Sequence, residues 1–259
     1  MAFRLILRVC NAAVNLAAVL ALLLCGSYGA YALWDNEQVL TAASDVQADM
    51  LRLKPSAVQP EGEPDNSAAF GELRKINPDV CGWITMEGTN IDFPVLHGEN
   101  NMLYINRDVY GNFSLAGSIF LDSRNAPSFS EAYTLLYGHH MADGNMFGDL
   151  DKYKEAGFFS EHRTGTLILP DATYALEVLS CMLVSASDKT IFDPESAQTS
   201  IGPLLDHARE KAIRFHEDAL EQARNARDTK LIALSTCSSE YTDARTIVLA
   251  RVVPVSPGK

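Results

Sequence analysis

The sequence predicts a mainly β protein: a closed or nearly closed barrel of eight short strands, with helices ahead of it and one helix-bearing insert. Three observations carry that reading. From Cys81 onward the chain breaks into eight apolar or alternating runs punctuated by turn residues. The later helical patterning is concentrated in one block, residues 194–228, rather than alternating with the strands as a parallel α/β fold would require. An uncharged apolar stretch, residues 9–34, stands apart at the N-terminus. Short strands at this spacing with few helices between them close most readily into a barrel.

Taken in order, residues 1–8 form a short cytoplasmic N-terminus and residues 9–34 a membrane anchor. The stretch VCNAAVNLAAVLALLLCGSYGAYALW has no charge and is long enough to cross a bilayer as a helix. Arg4 and Arg8 precede it, and Asp35 and Glu37 follow, which places the N-terminus inside. The small-x-small pattern AYA at 30–32 keeps a cleaved signal peptide open as the rival, and both put the remainder outside the cytoplasm. Residues 35–76 form a helical segment and linker. Apolar residues recur at helical spacing over 36–53, a Pro-, Glu- and Ser-rich linker covers 54–67, and AAFGELRKI reads as a shorter helix.

The barrel domain covers 77–254. Its eight predicted strands are CGWITMEG, IDFPVLHG, GSIFLDS, YTLLYGHH, TLILP, YALEVLSCMLVSA, KLIALSTC and RTIVLARVV. The insert, 188–229, contains a charged amphipathic helix predicted at roughly 203–226, and residues 255–259 form a tail.

Composition excludes some functions. A formal net charge of −12 argues against nucleic acid as the main partner, since phosphate binding needs a basic excess. Five cysteines without a CxxC pair argue against zinc ribbons and thioredoxin-like chemistry. Cys81 and Cys181 leave a disulfide open, although buried thiols are the commoner state.

Chemistry centres on three residues at probable strand ends. Cys237 ends one apolar run, and Arg245 opens the next, so the two sit at facing ends of neighbouring strands. His139 follows Gly138 at the end of a third. A thiol attacks as its thiolate and needs a base or cation nearby. At reference pKa values the thiolate–imidazolium pair of Cys237 and His139 would be about 1% of the enzyme at neutral pH. Arg245, always charged, suits a developing oxyanion or a peptide carbonyl. Each residue also has an ordinary reading: a packed thiol, a surface imidazole, a solvated rim charge. A zinc site lacks a fourth ligand at metal spacing.

At these residues the chain resembles the class B sortases. STCSSEYTDAR is similar to the family's cysteine signature with its later arginine, and LLYGHHMADGNMFGDLDKY to the segment holding the histidine. YGNFSLAGSIFLDSRN resembles the strand before it, and LRKINPDVCGWITMEGTNIDFPVLHG the class B lead into the barrel. The likeness covers about residues 70–254.

The resemblance implies an eight-stranded sortase-type barrel with His139, Cys237 and Arg245 as catalytic residues, Ser235 contacting substrate, and the insert walling a peptide groove. It implies no cofactor. Asp188, Asp193 and Glu195 form no evident calcium set, so no metal is expected. His140 is expected to fix its loop through a hydrogen bond. The lid and second membrane helix of class C enzymes are not seen.

The implied activity is transpeptidation outside the membrane. A secreted protein bearing an N-P-x-T-[GNS]-like sorting signal is cut after Thr and held as a thioacyl on Cys237. It then passes to an amine of a peptidoglycan cross-bridge or a lipid-linked precursor. The alternatives are a class B enzyme that polymerises pilins through a lysine amine, a surface cysteine protease that only hydrolyses, and a non-catalytic binding module.

Overall fold

The computed structural model describes residues 2–56, 66–237 and 243–255. Most of the expected linker and tail, and residues 238–242 of the STCSSEYTDAR segment, lie outside these. The chain divides into two compact units, Met1–Ala42 and Ala43–Lys259.

Helix α1 runs without a break from Ala2 to Leu51, so the two helices expected at 9–34 and 36–53 are one. No proline or glycine pair interrupts Trp34–Asn36, and nothing in the local chemistry stops the helix there. Its N-terminal part is apolar all round, with Leu22, Leu23 and Leu24 all exposed, and is long and apolar enough to cross a membrane. In the second unit the end of α1 buries Ala43 and Met50, two turns apart on one face.

Helix α2 (Ser67–Ile76) buries Phe70 and Leu73 and carries Arg74 and Lys75 in its last turn, where cations suit the helix dipole. Asn77 ends it: its N–H donates to Leu73 O and its side chain accepts from Asp79 N, turning the chain into the sheet.

The strands follow as β1 (Val80–Met86), β2 (Asp92–Leu96), β3 (Ile119–Leu121), β4 (Tyr133–Tyr137), β5 (Thr164–Ile168) and β6 (Thr173–Ser185). A 3-10 turn, Gly148–Lys154, and helix α3 (Ala156–Glu161) lie between β4 and β5. The insert holds α4 (Lys189–Phe192), a 3-10 turn at Pro194–Ala197, α5 (Gly202–Lys211), β7 (Ala212–Phe215) and α6 (Glu217–Asn225). Strands β8 (Lys230–Cys237) and β9 (Ala244–Pro254) finish the fold.

Eight strands close a mixed barrel in the order β5-β1-β2-β3-β4-β8-β9-β6, sealed by β5 against β6. The β2–β3 and β4–β8 pairs are parallel, and the rest are antiparallel. Each of the eight predicted runs supplies one of these strands.

The insert departs from expectation. In place of one helix over 203–226, the chain breaks at Ala212 and forms β7, which adds to the edge of β6 through Ser180↔Phe215 and Met182↔Ala212. An open edge on the long β6 leaves backbone groups to be paired, and four residues of AIRF satisfy them at the cost of helix continuity.

Alternation along β8 explains why it reads as a continuous apolar run. Leu231 and Ala233 pack outward, in one cluster with Leu204, Leu205 and Leu220 of the insert helices. Ile232 and Leu234 are equally buried on the opposite, interior face. A strand covered on both sides needs apolar residues at every position. On the far side of the barrel, Met50, Phe70 and Leu73 cover Trp83, Leu96 and Ile168.

Candidate active site

Register alone aligns the three expected residues. Strands β4 and β8 run parallel, with Tyr137 opposite Ser235, and Gly138 N donates to Ser235 O at 3.1 Å. His139 lies two residues past Tyr137, and Cys237 two past Ser235, so both come level at the same barrel end. Across the antiparallel β8–β9 pair, Cys237 stands directly opposite Arg245. Adjacent strands lie about 4.8 Å apart, so the backbones of 139, 237 and 245 form one short row.

A cleft of about 350 Å³ opens at this row, lined by Tyr137, His139, Phe192, Ser235, Thr236 and Arg245. Its floor is strand ends. Its sides come from the insert through Phe192 and from the long β2–β3 connection through Asn101, Met102 and Ile105.

His139 is half-buried, and its Nε2 lies 2.7 Å from Ile105 O. A carbonyl only accepts, so Nε2 carries a proton and Nδ1 is the nitrogen left to exchange one. The residue's own carbonyl accepts from Phe147 N at 3.0 Å. Gly138 fits closely just before it: a Cβ there would lie 2.4 Å from Ile119 Cδ1 and 2.8 Å from the Phe147 ring, so a neighbour would have to shift. Arg245 is half-buried, and its Nη1 donates to Ala244 O at 2.9 Å. Ser235 is buried in the cleft wall. His140 makes the kind of bond expected of it: Nε2 lies 3.1 Å from Asp151 Oδ2.

One wall of the cleft is anchored by a polar network that sequence reading missed. Asp122, fully buried, accepts from Arg124 Nε (2.9 Å) and Nη2 (2.8 Å), Tyr137 Oη (2.9 Å) and Asn101 Nδ2 (3.0 Å). Burial raises its carboxyl, but the bonds from Arg124, Tyr137 and Asn101 outweigh that, and the net shift is downward. Burial and the neighbouring Asp122 charge push the Tyr137 phenol well up. Arg124 also donates to Phe192 O at 2.8 Å, and Phe192 stacks on Tyr137 at 10° between ring planes. The available signal was the Asp-x-Arg spacing in LDSRN beside an apolar run. The Ile105 carbonyl, a backbone group, leaves no such trace.

Asp188 and Asp193 of the insert have other partners. Asp188 caps α4 by accepting from Thr190 N and Ile191 N, and lies 2.8 Å from His207 Nε2. Asp193 pairs with Arg124 at 3.6 Å. Cys81 and Cys181 are both buried and form no disulfide, and burial pushes the Cys81 thiol up to about 12.

The sequence profile of the sortase domain matches residues 84–253. Sortase B of Staphylococcus aureus is 31% identical over 189 residues, covering 72% of this chain and 75% of that protein. The chain belongs to the sortase family, class B. Sortases are cysteine transpeptidases, and this chain is an enzyme of that kind.

Solved structures agree. A class B sortase of Streptococcus pyogenes involved in pilus biogenesis superimposes with a TM-score of 0.64 at 36% identity, covering 71% of this chain and 97% of that one. The S. aureus sortase B–substrate complex gives a TM-score of 0.65 at 28% identity, covering 86% and 97%. The eight-stranded barrel described above is the architecture shared with these sortases.

Proposed function

We propose that the chain is a membrane-anchored transpeptidase working outside the cytoplasm, with Cys237 as nucleophile, His139 as general acid and base, and Arg245 as carbonyl clamp. The observation that carries this is the row of positions 139, 237 and 245 across three neighbouring strands at one cleft. Its substrate is a secreted protein with an N-P-x-T-[GNS]-like signal. The thiolate of Cys237 attacks the Thr carbonyl while Arg245 donates N–H bonds to the oxygen as it gains charge. His139, steadied at Nε2 by Ile105, gives the proton on Nδ1 to the departing amine. A second amine, from peptidoglycan or its lipid-linked precursor, then attacks the thioester. It returns its proton to His139 as the thiolate leaves. Ser235, in the cleft wall, contacts the bound signal.

The apolar part of α1 spans the bilayer with Arg4 and Arg8 inside, which keeps the cleft beside substrates made at the membrane. A second reading within the class, pilin polymerisation through a lysine amine, is favoured by one comparison. On superposition the pilus-associated S. pyogenes enzyme shares 36% identity, against 28% for the S. aureus sortase B–substrate complex.

The test uses the full chain in detergent with a signal peptide, and either no added amine, triglycine or a lysine-bearing pilin domain. Triglycine is expected to divert product from acid to amide, and Cys237→Ala to abolish both. Product unchanged by any amine would mean a hydrolase. Conjugation to the pilin domain in preference to triglycine would select the second reading.

A further inference from the structure

Asp151 lies outside the cleft lining, on the 3-10 turn Gly148–Lys154, behind the strand ends. Its half-buried carboxylate reaches two elements that the barrel does not pair. Oδ1 accepts from Thr246 Oγ1 at 2.8 Å and from Lys154 Nζ at 2.8 Å, while Oδ2 meets His140 Nε2 at 3.1 Å. Thr246 is the fully buried neighbour of Arg245 on β9, and His140 is the neighbour of His139. We infer that Asp151 is a positioning residue: one carboxylate straps the strand end that bears Arg245 to the loop that bears His139.

Topology explains why such a strap is useful. Strand β8 separates β4 from β9, so no backbone ladder relates positions 139 and 245 directly. His139 also sits beyond the last paired residue of β4, where regular pairing no longer holds it. A displacement of about 1 Å at a reacting group can cost on the order of a hundredfold in rate. Burial raises the Asp151 carboxyl, but bonds from Lys154 and Thr246 overcome this and hold it below the ordinary carboxylate range. It is therefore ionised at neutral pH, with both oxygens accepting, so Thr246 Oγ1 and His140 Nε2 must each donate. Each side of the strap has a defined direction.

The inference rests on the proposed roles of His139 and Arg245, and its test separates the two. Full-length variants in detergent are assayed for peptide transfer to triglycine, with Cys237→Ala alongside. Asp151→Ala is expected to lower kcat tenfold or more while KM for the peptide stays within about twofold, the signature of a lost transition-state alignment. Asp151→Asn should keep at least a third of wild-type kcat. Its amide oxygen still accepts from Thr246, and its NH2 can donate to the other His140 tautomer. Thr246→Val cuts the strap from its other end and should lower kcat with KM intact. Adding it to Asp151→Ala should cost nothing further, because both remove one linkage.

Should Asp151→Ala not fold, Thr246→Val still decides the matter. Wild-type kcat in Thr246→Val or Asp151→Ala overturns the strap, as does a lowered melting temperature with kcat unchanged. Additive losses, or equal losses in Asp151→Asn and Asp151→Ala, overturn it as well. Activity surviving in Cys237→Ala would instead overturn the catalytic reading beneath it.

Discussion

The two sides of the cleft are built on different principles. On one side, Cys237 and Arg245 close a ladder whose register runs unbroken from Lys230↔Val252 to Cys237↔Arg245. Slipping that ladder by one residue would turn Leu231 and Ala233 inward and expose every pairing to loss, so the geometry is protected by the whole core. On the other side, β4 stops at Tyr137, and His139 depends on single bonds: Gly138 to Ser235, Phe147 to His139, and His139 to Ile105. The wall beside it depends on the Asp122 network. The ladder side is held cooperatively, whereas the loop side is held by contacts that can be removed one at a time.

That difference can be broken deliberately. The largest effect is expected from Asp122→Ala, which leaves the Arg124 guanidinium and the Tyr137 hydroxyl without their shared acceptor. Arg124 is partly exposed and keeps Phe192 O and Asp193, so the cost is chiefly that of buried donors left without an acceptor, towards the upper end of about 1–3 kcal/mol, read by urea unfolding at pH 7. The Asp122 carboxyl is held below its ordinary value in the folded state. Its contribution is therefore complete above the unfolded carboxyl value of about 3.9 and drains away as pH falls through the folded value. The gap between wild type and Asp122→Ala should narrow as unfolding is repeated towards pH 3. A constant gap would mean that the network stabilises by packing rather than by charge.

Arg245→Lys probes the ladder side. It should leave the melting temperature nearly unchanged, since β9 keeps its pairing, while kcat/KM for transfer falls roughly ten- to hundredfold. That is the worth of a charged hydrogen bond at about 1.5–3 kcal/mol. Full activity would remove the clamping role of the planar fork.

Gly138→Ala is the mildest and the sharpest test of the loop side. The added methyl meets Ile119 Cδ1, which can rotate, and the buried Phe147 ring, which must shift. A stability loss at the low end of about 1–3 kcal/mol is expected, with a severalfold fall in kcat as His139 moves. If kcat held while stability fell, His139 would be better anchored than its three bonds imply.

Much of this was legible in the residues. The eight strands are short apolar runs bounded by turn residues, and the candidate residues sit at their ends, where chemistry on a barrel has to be placed. The insert was less legible. Leu204, Leu205, Ala208, Ala219, Leu220 and Ala223 all face the core, so the segment reads as one amphipathic helix. A signal for the break was present: Arg209 and Lys211 end α5, and Glu217 and Asp218 open α6, the charge order expected at a helix end and a new beginning. Strand formation between them answered the open edge of β6, which no local window contains. The helix also continues past Asp35, because a change from apolar to polar residues alters the surroundings of a helix without ending it.

Sequence by itself determined which segments become the eight barrel strands, which residue types stand at their ends, and that a thiol, an imidazole and a guanidinium are available. These follow from side-chain periodicity and local backbone preference, both short-ranged. Tertiary structure decided that β8 lies between β4 and β9, and so that 139, 237 and 245 fall in one row with Asp151 behind them. Strand order comes from closing the barrel, where each strand takes whichever neighbour completes its hydrogen bonds and buries both faces. That choice depends on the whole chain at once.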